Sequence, residues 1–266
     1  MIVVGELING SREPVQQAIL SRDEEAIAEL AVSQSEAGAD YLDCNVGMVG
    51  RREAEHMRWL VEVVARAVDT PIAVDTANPD AMAAGLDAWP GRERAILNSI
   101  TLENERLEHF VPLIREREVR VIALTMGNDG VPATAEGRVD VAMRLLDALE
   151  AAGVTCAHIF VDPVVTPLSV DPGGARVACE AMREIASRCP DCHLICGVSN
   201  VSYGLPRRRL LNRIFLAQAT ISGLDSAILD PLDAGVRSTV YAAEALAGRD
   251  EWCAGYLQAW RRGELQ

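Results

Sequence analysis

Three stretches of the chain, Glu36-Ala-Gly-Ala-Asp-Tyr-Leu-Asp43, Ala151-Ala-Gly-Val-Thr-Cys-Ala-His-Ile-Phe-Val-Asp162 and Ser222-Gly-Leu-Asp-Ser-Ala-Ile-Leu-Asp230, share one order: helix end, glycine, short apolar run, aspartate. The glycine stops a helix, the apolar run has the length of a buried strand, and the aspartate stands where that strand ends. Repetition of this unit predicts helices that return the chain to a parallel sheet. On either side of these stretches the alternation continues. Apolar runs at 2–4, 41–42, 72–74, 96–97, 119–124, 159–161, 194–196 and 227–229 read as eight strands. Between them, Ile27, Leu30 and Ala31 share one helical face behind a capping box at Ser21-Arg-Asp-Glu24, and Met57, Leu60, Val61 and Val64 share another. Asn78-Pro79 opens a further helix as cap and first residue, and Val141, Leu145 and Leu149 mark the helix that Gly153 closes. Helices near 175–187, 210–221 and 234–247 complete the series. No G-x-G-x-x-G follows any strand, so a closed (β/α)8 barrel of the TIM type is expected over a doubly wound sheet. The expectation is a single domain over 1–266, with about 250–266 as a C-terminal helical extension.

Size and composition agree with this reading. The 266 residues match the usual length of one such barrel, and 49% hydrophobic with 24% charged residues excludes collagen, coiled coil and disorder. With 39 acidic against 25 basic residues the formal charge is −14, a field that repels phosphate backbones and anionic membranes. Nucleic acid and membrane are therefore not expected as partners. All 25 basic residues are Arg, which excludes Schiff-base chemistry on a lysine. The opening Met1-Ile-Val-Val-Gly-Glu6 lacks a basic region followed by a long apolar segment, and a cytoplasmic protein is expected.

The seven cysteines are an odd number, and free thiols are expected. Cys189-Pro-Asp-Cys192-His193 fits the pattern of covalent haem attachment, and Cys196 could add a thiolate. The competing reading is a loop before a buried strand. It is preferred because no second cysteine pair at zinc-site spacing follows. No metal of its own is expected for the protein.

In a barrel of this type the reactive groups stand at the C-terminal ends of the strands. Here those positions hold Glu6 and Asn9, Asp43 and Asn45, Asp75, Asn98, Asp162, Ser199 and Asn200, and Asp230. Short carboxylates and carboxamides in one mouth suit a flat heterocycle rich in N–H donors and ring acceptors. For Asp43 and Asp230 a helix cap or turn would also explain the residue. Asp75 is freed from that duty by the better placed Asn78. A cluster of acids can also hold a divalent cation, but no H-x-H or H-x-x-E spacing accompanies it, and His56, His109 and His158 read as helix, helix and strand-entry residues.

At these strand ends the sequence resembles the pterin-binding methyltransferases, in particular the methyltetrahydrofolate:corrinoid protein methyltransferases and the folate domain of cobalamin-dependent methionine synthase. The pieces that carry the resemblance are Gly5-Glu-Leu-Ile-Asn9, Asp43-Cys-Asn-Val-Gly47, Val74-Asp-Thr76, Leu97-Asn-Ser99, Leu124-Thr-Met126, Val161-Asp-Pro163, Gly197-Val-Ser-Asn-Val-Ser202 and Asn212-Arg-Ile-Phe-Leu216. They span most of the chain in the family's order. The resemblance implies that Asp75, Asn98, Asp162, Gly197, Ser199 and Asn200 bind the pterin, with Asn200 beside the methyl-bearing N5 and catalysis resting on Asn200 and Asp75. Glu6, Asn9, Asp43, Asn45, Met126 and Arg213 would support them. It also implies tetrahydrofolate or methyltetrahydrofolate as substrate, a corrinoid (cobalamin) carried by a partner protein, and a homodimer. Leu7, where the family often has Arg, and Cys44, where a larger apolar residue is common, are departures that bear on substrate preference. Two alternatives accompany this reading. Dihydropteroate synthases share the pocket but rely on a Lys near the seventh strand and an Asn-x-Thr-x-Asp-Ser-Phe-like first loop; here the loop reads Asn9-Gly-Ser-Arg-Glu13 and there is no Lys. A non-catalytic pterin-binding subunit would keep Asp75 and Asn98 without turnover.

Overall fold

Eight runs of four or five residues form strands: β1 (Ile2–Gly5), β2 (Tyr41–Cys44), β3 (Ile72–Asp75), β4 (Ile96–Ile100), β5 (Arg120–Leu124), β6 (Ile159–Asp162), β7 (His193–Gly197) and β8 (Ser226–Leu229). Each pairs in parallel with the next, and β8 pairs with β1, so the sheet closes into a barrel. The computed structural model describes residues 1–47 and 52–266. Ten helices lie among these residues: α1 (Glu13–Ser21), α2 (Glu24–Glu36), α3 (Glu53–Ala67), α4 (Pro79–Ala88), α5 (Asn104–Arg117), α6 (Ala135–Ala151), α7 (Gly174–Arg188), α8 (Arg208–Ile221), α9 (Ala234–Leu246) and α10 (Ala254–Arg261). Gly38, Gly153 and Gly223, the glycines of the repeated unit, all have positive φ (90°, 91° and 111°), the conformation that ends α2, α6 and α8 without a Cβ clash.

Two apolar cores result. The larger fills the space between barrel and helices, and includes Ile27, Met57, Leu60, Val64, Leu145, Leu149 and Leu216. The smaller fills the barrel itself with Val4, Tyr41, Ala73, Ile96, Ile122, Phe160 and Ile195, flanked by Ile2, Leu124 and Ile228. Strand side chains alternate between faces, so the residue two positions on from each inner one also points inward, one layer nearer the C-terminal end. That layer is Glu6, Asp43, Asp75, Asn98, Leu124, Asp162, Gly197 and Asp230. The pleat thus carries the acids and amides to one mouth, on a floor of buried aliphatic and aromatic side chains.

The structure differs from the sequence reading in two places. Ser21 is the last residue of α1, not the cap of α2; the cap is Asp23, whose carboxylate accepts from Ala26 N at 3.1 Å. Arg22 in the left-handed region (φ 59°) breaks the chain between the two helices. Helix α1 is absent from the sequence reading, and α5 is marked there only by His109 as a helical residue; α5 carries Pro112 inside it, a residue that obscures a helix pattern. Asn78 caps α4 as expected, accepting from Asp80 N at 2.9 Å. No helix among the described residues is long and apolar enough to cross a membrane.

Candidate active site

The β2, β3 and β4 ends form an interlocked set of acids and amides. Asn98 Nδ2 donates to Asp43 Oδ1 at 3.0 Å, and Asn45 Nδ2 donates to Asp75 Oδ2 at 2.7 Å. Asn45 Oδ1 in turn accepts from Gly47 N at 2.6 Å, so its amide orientation is set. Asp43 and Asn98 are buried. Burial, with the Asp75 charge adding to it, pushes the Asp43 carboxyl well above the usual carboxylate range despite the Asn98 bond. Burial raises Asp75 as well, against the pull of the Asn45 bond. Behind Asp75, Glu53 at the start of α3 accepts from the Thr76 hydroxyl and from Asn78 Nδ2 at 3.2 Å, bracing the loop that leaves β3.

Asp162 ends β6 and is buried. Its Oδ1 accepts from Val164 N at 2.7 Å, and burial pushes its pKa up to about 7, opposed by that bond and by the Arg138 charge. Val164 has φ 57°, a left-handed conformation that a β-branched residue enters only when its surroundings hold it there. Arg138 supplies the hold. Only 1% exposed, its guanidinium donates to the carbonyls of Pro132 (2.9 Å), Pro163 (3.1 Å) and Val164 (2.5 Å) and to Thr166 Oγ1 (3.1 Å). The sequence reading missed this residue. A signal was present, since Arg138 stands three residues before Val141 and seven before Leu145 on the apolar stripe of α6, where a cation has to be fully hydrogen-bonded to be buried.

The β7–β8–β1 side is more open. A short 3-10 turn, Val198–Ser202, follows β7 and carries Ser199 and Asn200. Ser199 Oγ donates to Glu6 Oε2 at 3.0 Å, and Glu6 also meets Arg12 at 3.4 Å. Burial raises the Glu6 pKa, with these two partners opposing. The Asn200 carboxamide lies against Gly197, where an added Cβ would come within 2.9 Å of Nδ2, so a side chain there would displace the carboxamide. Asn200 is exposed, and its carboxamide makes no hydrogen bond to any described residue.

Three residues expected near the pterin are otherwise engaged or peripheral. Asn9 Oδ1 accepts from Ser11 N at 2.9 Å and closes a turn, although its backbone pairs with Asn45 above β2. Arg213 pairs with Asp233, the cap of α9, at 2.9 Å. Met126 tethers the β4 and β5 loops through its carbonyl, which accepts from Leu102 N at 2.8 Å. At the opposite end of the barrel the Cys189–Cys192 segment is a turn, with Cys192 N donating to Cys189 O at 3.2 Å. His193 there bonds Asp225 at 2.8 Å and stacks on Phe160, so it does not face the thiols as a ligand. All seven cysteines are free, and among the described residues no three His, Cys, Asp or Glu side chains converge as a metal site.

Barrel and mouth together define a (β/α)8 protein whose acids and amides converge at the C-terminal ends of the strands. The family described as pterin binding enzyme matches residues 5–230, and the chain belongs to that family. A methylcorrinoid:tetrahydrofolate methyltransferase of Eubacterium limosum is 32% identical over 270 residues, covering 100% of this chain and 98% of that protein. The methionine synthase of Mycobacterium tuberculosis is 30% identical over 242 residues, which is 86% of this chain and 20% of that longer protein. Among solved structures, the dihydropteroate synthase from Xanthomonas albilineans in complex with 7,8-dihydropteroate superposes with a TM-score of 0.64 at 18% identity, covering 92% of each chain; that likeness concerns the fold.

Proposed function

We propose that the protein transfers a methyl group between N5 of tetrahydrofolate and the cobalt of a corrinoid carried by a partner protein. The observation that carries this reading is the pairing of a preset acid–amide platform (Asp43, Asn45, Asp75, Asn98) with one unengaged carboxamide, Asn200, across the same mouth. Its full-length similarity to the Eubacterium limosum methyltransferase supports the choice of reaction. Asp75, Asn98 and Asp162 bind the ring, their oxygens and amide meeting the ring's N–H donors and acceptors. Asn200 faces N5.

A tertiary amine releases its methyl group only when the nitrogen is protonated. The Co(I) corrinoid, a substrate here, supplies the electron pair of the new Co–C bond and becomes methyl-Co(III); the N–C pair stays on N5, which keeps its proton and leaves as a neutral secondary amine. Asn200 can accept from N5–H⁺ and donate to neutral N5, so it follows both states. By microscopic reversibility the same groups carry methyl from methylcorrinoid to tetrahydrofolate. The lack of Lys speaks against dihydropteroate synthesis.

The remaining expectations are part of this proposal: one domain over the whole chain, no metal of its own, a cytoplasmic site of action and a homodimer. Ile221 of α8 and Leu246 of α9, 56% and 77% exposed, line one hollow, with Ile214 exposed two turns before Ile221. That stripe is the surface a second copy would cover. Incubation with methyltetrahydrofolate and chemically reduced free cobalamin tests the reaction. Formation of methylcobalamin is expected; neither turnover nor binding of methyltetrahydrofolate by calorimetry would overturn the reading.

A further inference from the structure

Residues 193–224 hold four arginines and no carboxylate, in a chain that has 39 acids among 266 residues. Three of the four, Arg207, Arg208 and Arg209, stand together where α8 begins. That position works against the helix, because an N-terminus carries partial positive charge and favours Ser, Asp or Glu. Arg207 takes the cap position at φ 52°, offers no capping oxygen, and pays the steric cost of the left-handed region. Local rules broken in this way are characteristic of surfaces that serve something other than stability.

Two of the arginines are occupied within the protein. Arg208 donates to Ser199 O (2.8 Å) and Ser202 Oγ (3.1 Å), holding the turn that carries Asn200, and Arg213 is bound to Asp233. The other two face outward. Arg209 touches Asp233 at 3.2 Å yet is 79% exposed, and Arg207 is exposed without an ion pair to any described residue. Beside them Tyr203 and Val170 are 66% and 74% exposed. Their two loops are joined, with Ser169 Oγ donating to Tyr203 O at 2.6 Å and Leu168 N donating to Val201 O at 3.0 Å. An exposed tyrosine and apolar residue beside solvent-facing arginines is the composition of a protein-recognition surface.

Resting on the methyl-transfer reading, we infer that Val170, Tyr203, Arg207 and Arg209 form the landing surface for an acidic face of the corrinoid-carrying protein. The cobalt has to reach bonding distance of a methyl group beside Asn200, and Tyr203 lies three residues beyond Asn200. The partner therefore has to settle on this part of the rim. Across the mouth the start of α5 brings Glu103 and Glu105 and the β5 loop brings Asp129, with Arg106 offsetting Glu103 at 3.8 Å. An acidic partner is drawn to one side and repelled from the other, which sets its orientation as well as its encounter rate.

The test compares the Arg207→Glu/Arg209→Gln double variant and Tyr203→Ala with the wild type, using free cob(I)alamin and a purified reduced corrinoid protein that the wild type methylates. With free cob(I)alamin, both variants keep wild-type kcat/KM. With the corrinoid protein, the double variant loses roughly tenfold through KM, and raising the salt narrows the gap because exposed charges are screened. An unchanged KM for the corrinoid protein, or an equal loss with free cob(I)alamin, would overturn the assignment. So would a loss seen only with poly-γ-glutamyl methyltetrahydrofolate, which would give the arginines to the substrate's tail. A wild type that moves methyl to neither free cob(I)alamin nor any corrinoid protein, and does not bind methyltetrahydrofolate, would instead remove the underlying reading.

Discussion

The two sides of the mouth are built differently. Along β2, β3 and β4 each acid is bound to an amide at another strand's end, Asp43 to Asn98 and Asp75 to Asn45, and the loop behind them is braced by Glu53. Along β7 and the start of α8 the carboxamide of Asn200 has no hydrogen-bond partner among the described residues, and the flanking arginines reach outward. The first side is preorganised, so a ring that docks there meets oriented groups and little reorganisation remains. The second is left open, as the proposed reaction requires of a side where N5 changes protonation state and a second macromolecule approaches. Asp162, clamped through Val164 by Arg138, stands at the seam.

The largest effect is expected at that seam. Arg138→Met keeps the bulk of the side chain but strands the buried carbonyls of Pro132, Pro163 and Val164, at a cost of about 3–5 kcal/mol in stability. A urea unfolding midpoint equal to that of the wild type would show that water replaces the guanidinium. Next is the open side: Asn200→Ala should lower kcat and kcat/KM together by roughly 10²-fold, with smaller damage to pterin affinity. Steady-state kinetics with Asn200→Asp as a companion sharpen this, since Asp tolerates the same turn. Near-normal kcat in both variants would show that N5 is activated by another group.

On the preorganised side, Asp75→Ala should weaken methyltetrahydrofolate binding by at least about tenfold, as charge-assisted hydrogen bonds contribute roughly 1.5–3 kcal/mol each. The fold should survive. Wild-type affinity by calorimetry would collapse the distinction between the two sides. The smallest effect concerns pH. The fold raises the Asp162 pKa to about 7, so stability falls as pH rises from the ordinary carboxylate range to that value. Ring N–H donors favour the ionised form, so pterin affinity should rise severalfold over the same window and level off above it. Binding measured across that range should follow this course, and Asp162→Asn should flatten it; a flat wild-type profile would remove Asp162 from the ring's partners.

Much of this architecture is legible from particular residues. The repeated glycine, apolar run and aspartate mark three strand entries, and Asn78 explains α4's start and so frees Asp75 for other work. Helix α1 escaped, and α5 was marked only at His109, because Arg22 and Pro112 interrupt the patterns that announce a helix. Arg138 escaped because a charge on an apolar stripe becomes informative only when its partners are known. The Cys189-Pro-Asp-Cys192-His193 motif was read as a loop entering a strand, and the turn found there, with His193 on Asp225, agrees.

The alternation of apolar and polar residues along each strand, visible in the chain alone, determined that Glu6, Asp43, Asp75, Asn98, Asp162 and Asp230 would share one layer, because a strand repeats every two residues wherever it is placed. Which acid meets which amide was decided only by closure of the barrel. Asn98 and Asp43 are 55 residues apart and on strands that do not pair with each other, so their contact depends on the curvature of the sheet. The same holds for Asn9, drawn into a turn, and Arg213, drawn to Asp233. Burial, and with it the raised pKa values of Asp43 and Asp162, likewise belongs to the folded molecule, since desolvation is a property of the surroundings and not of the residue.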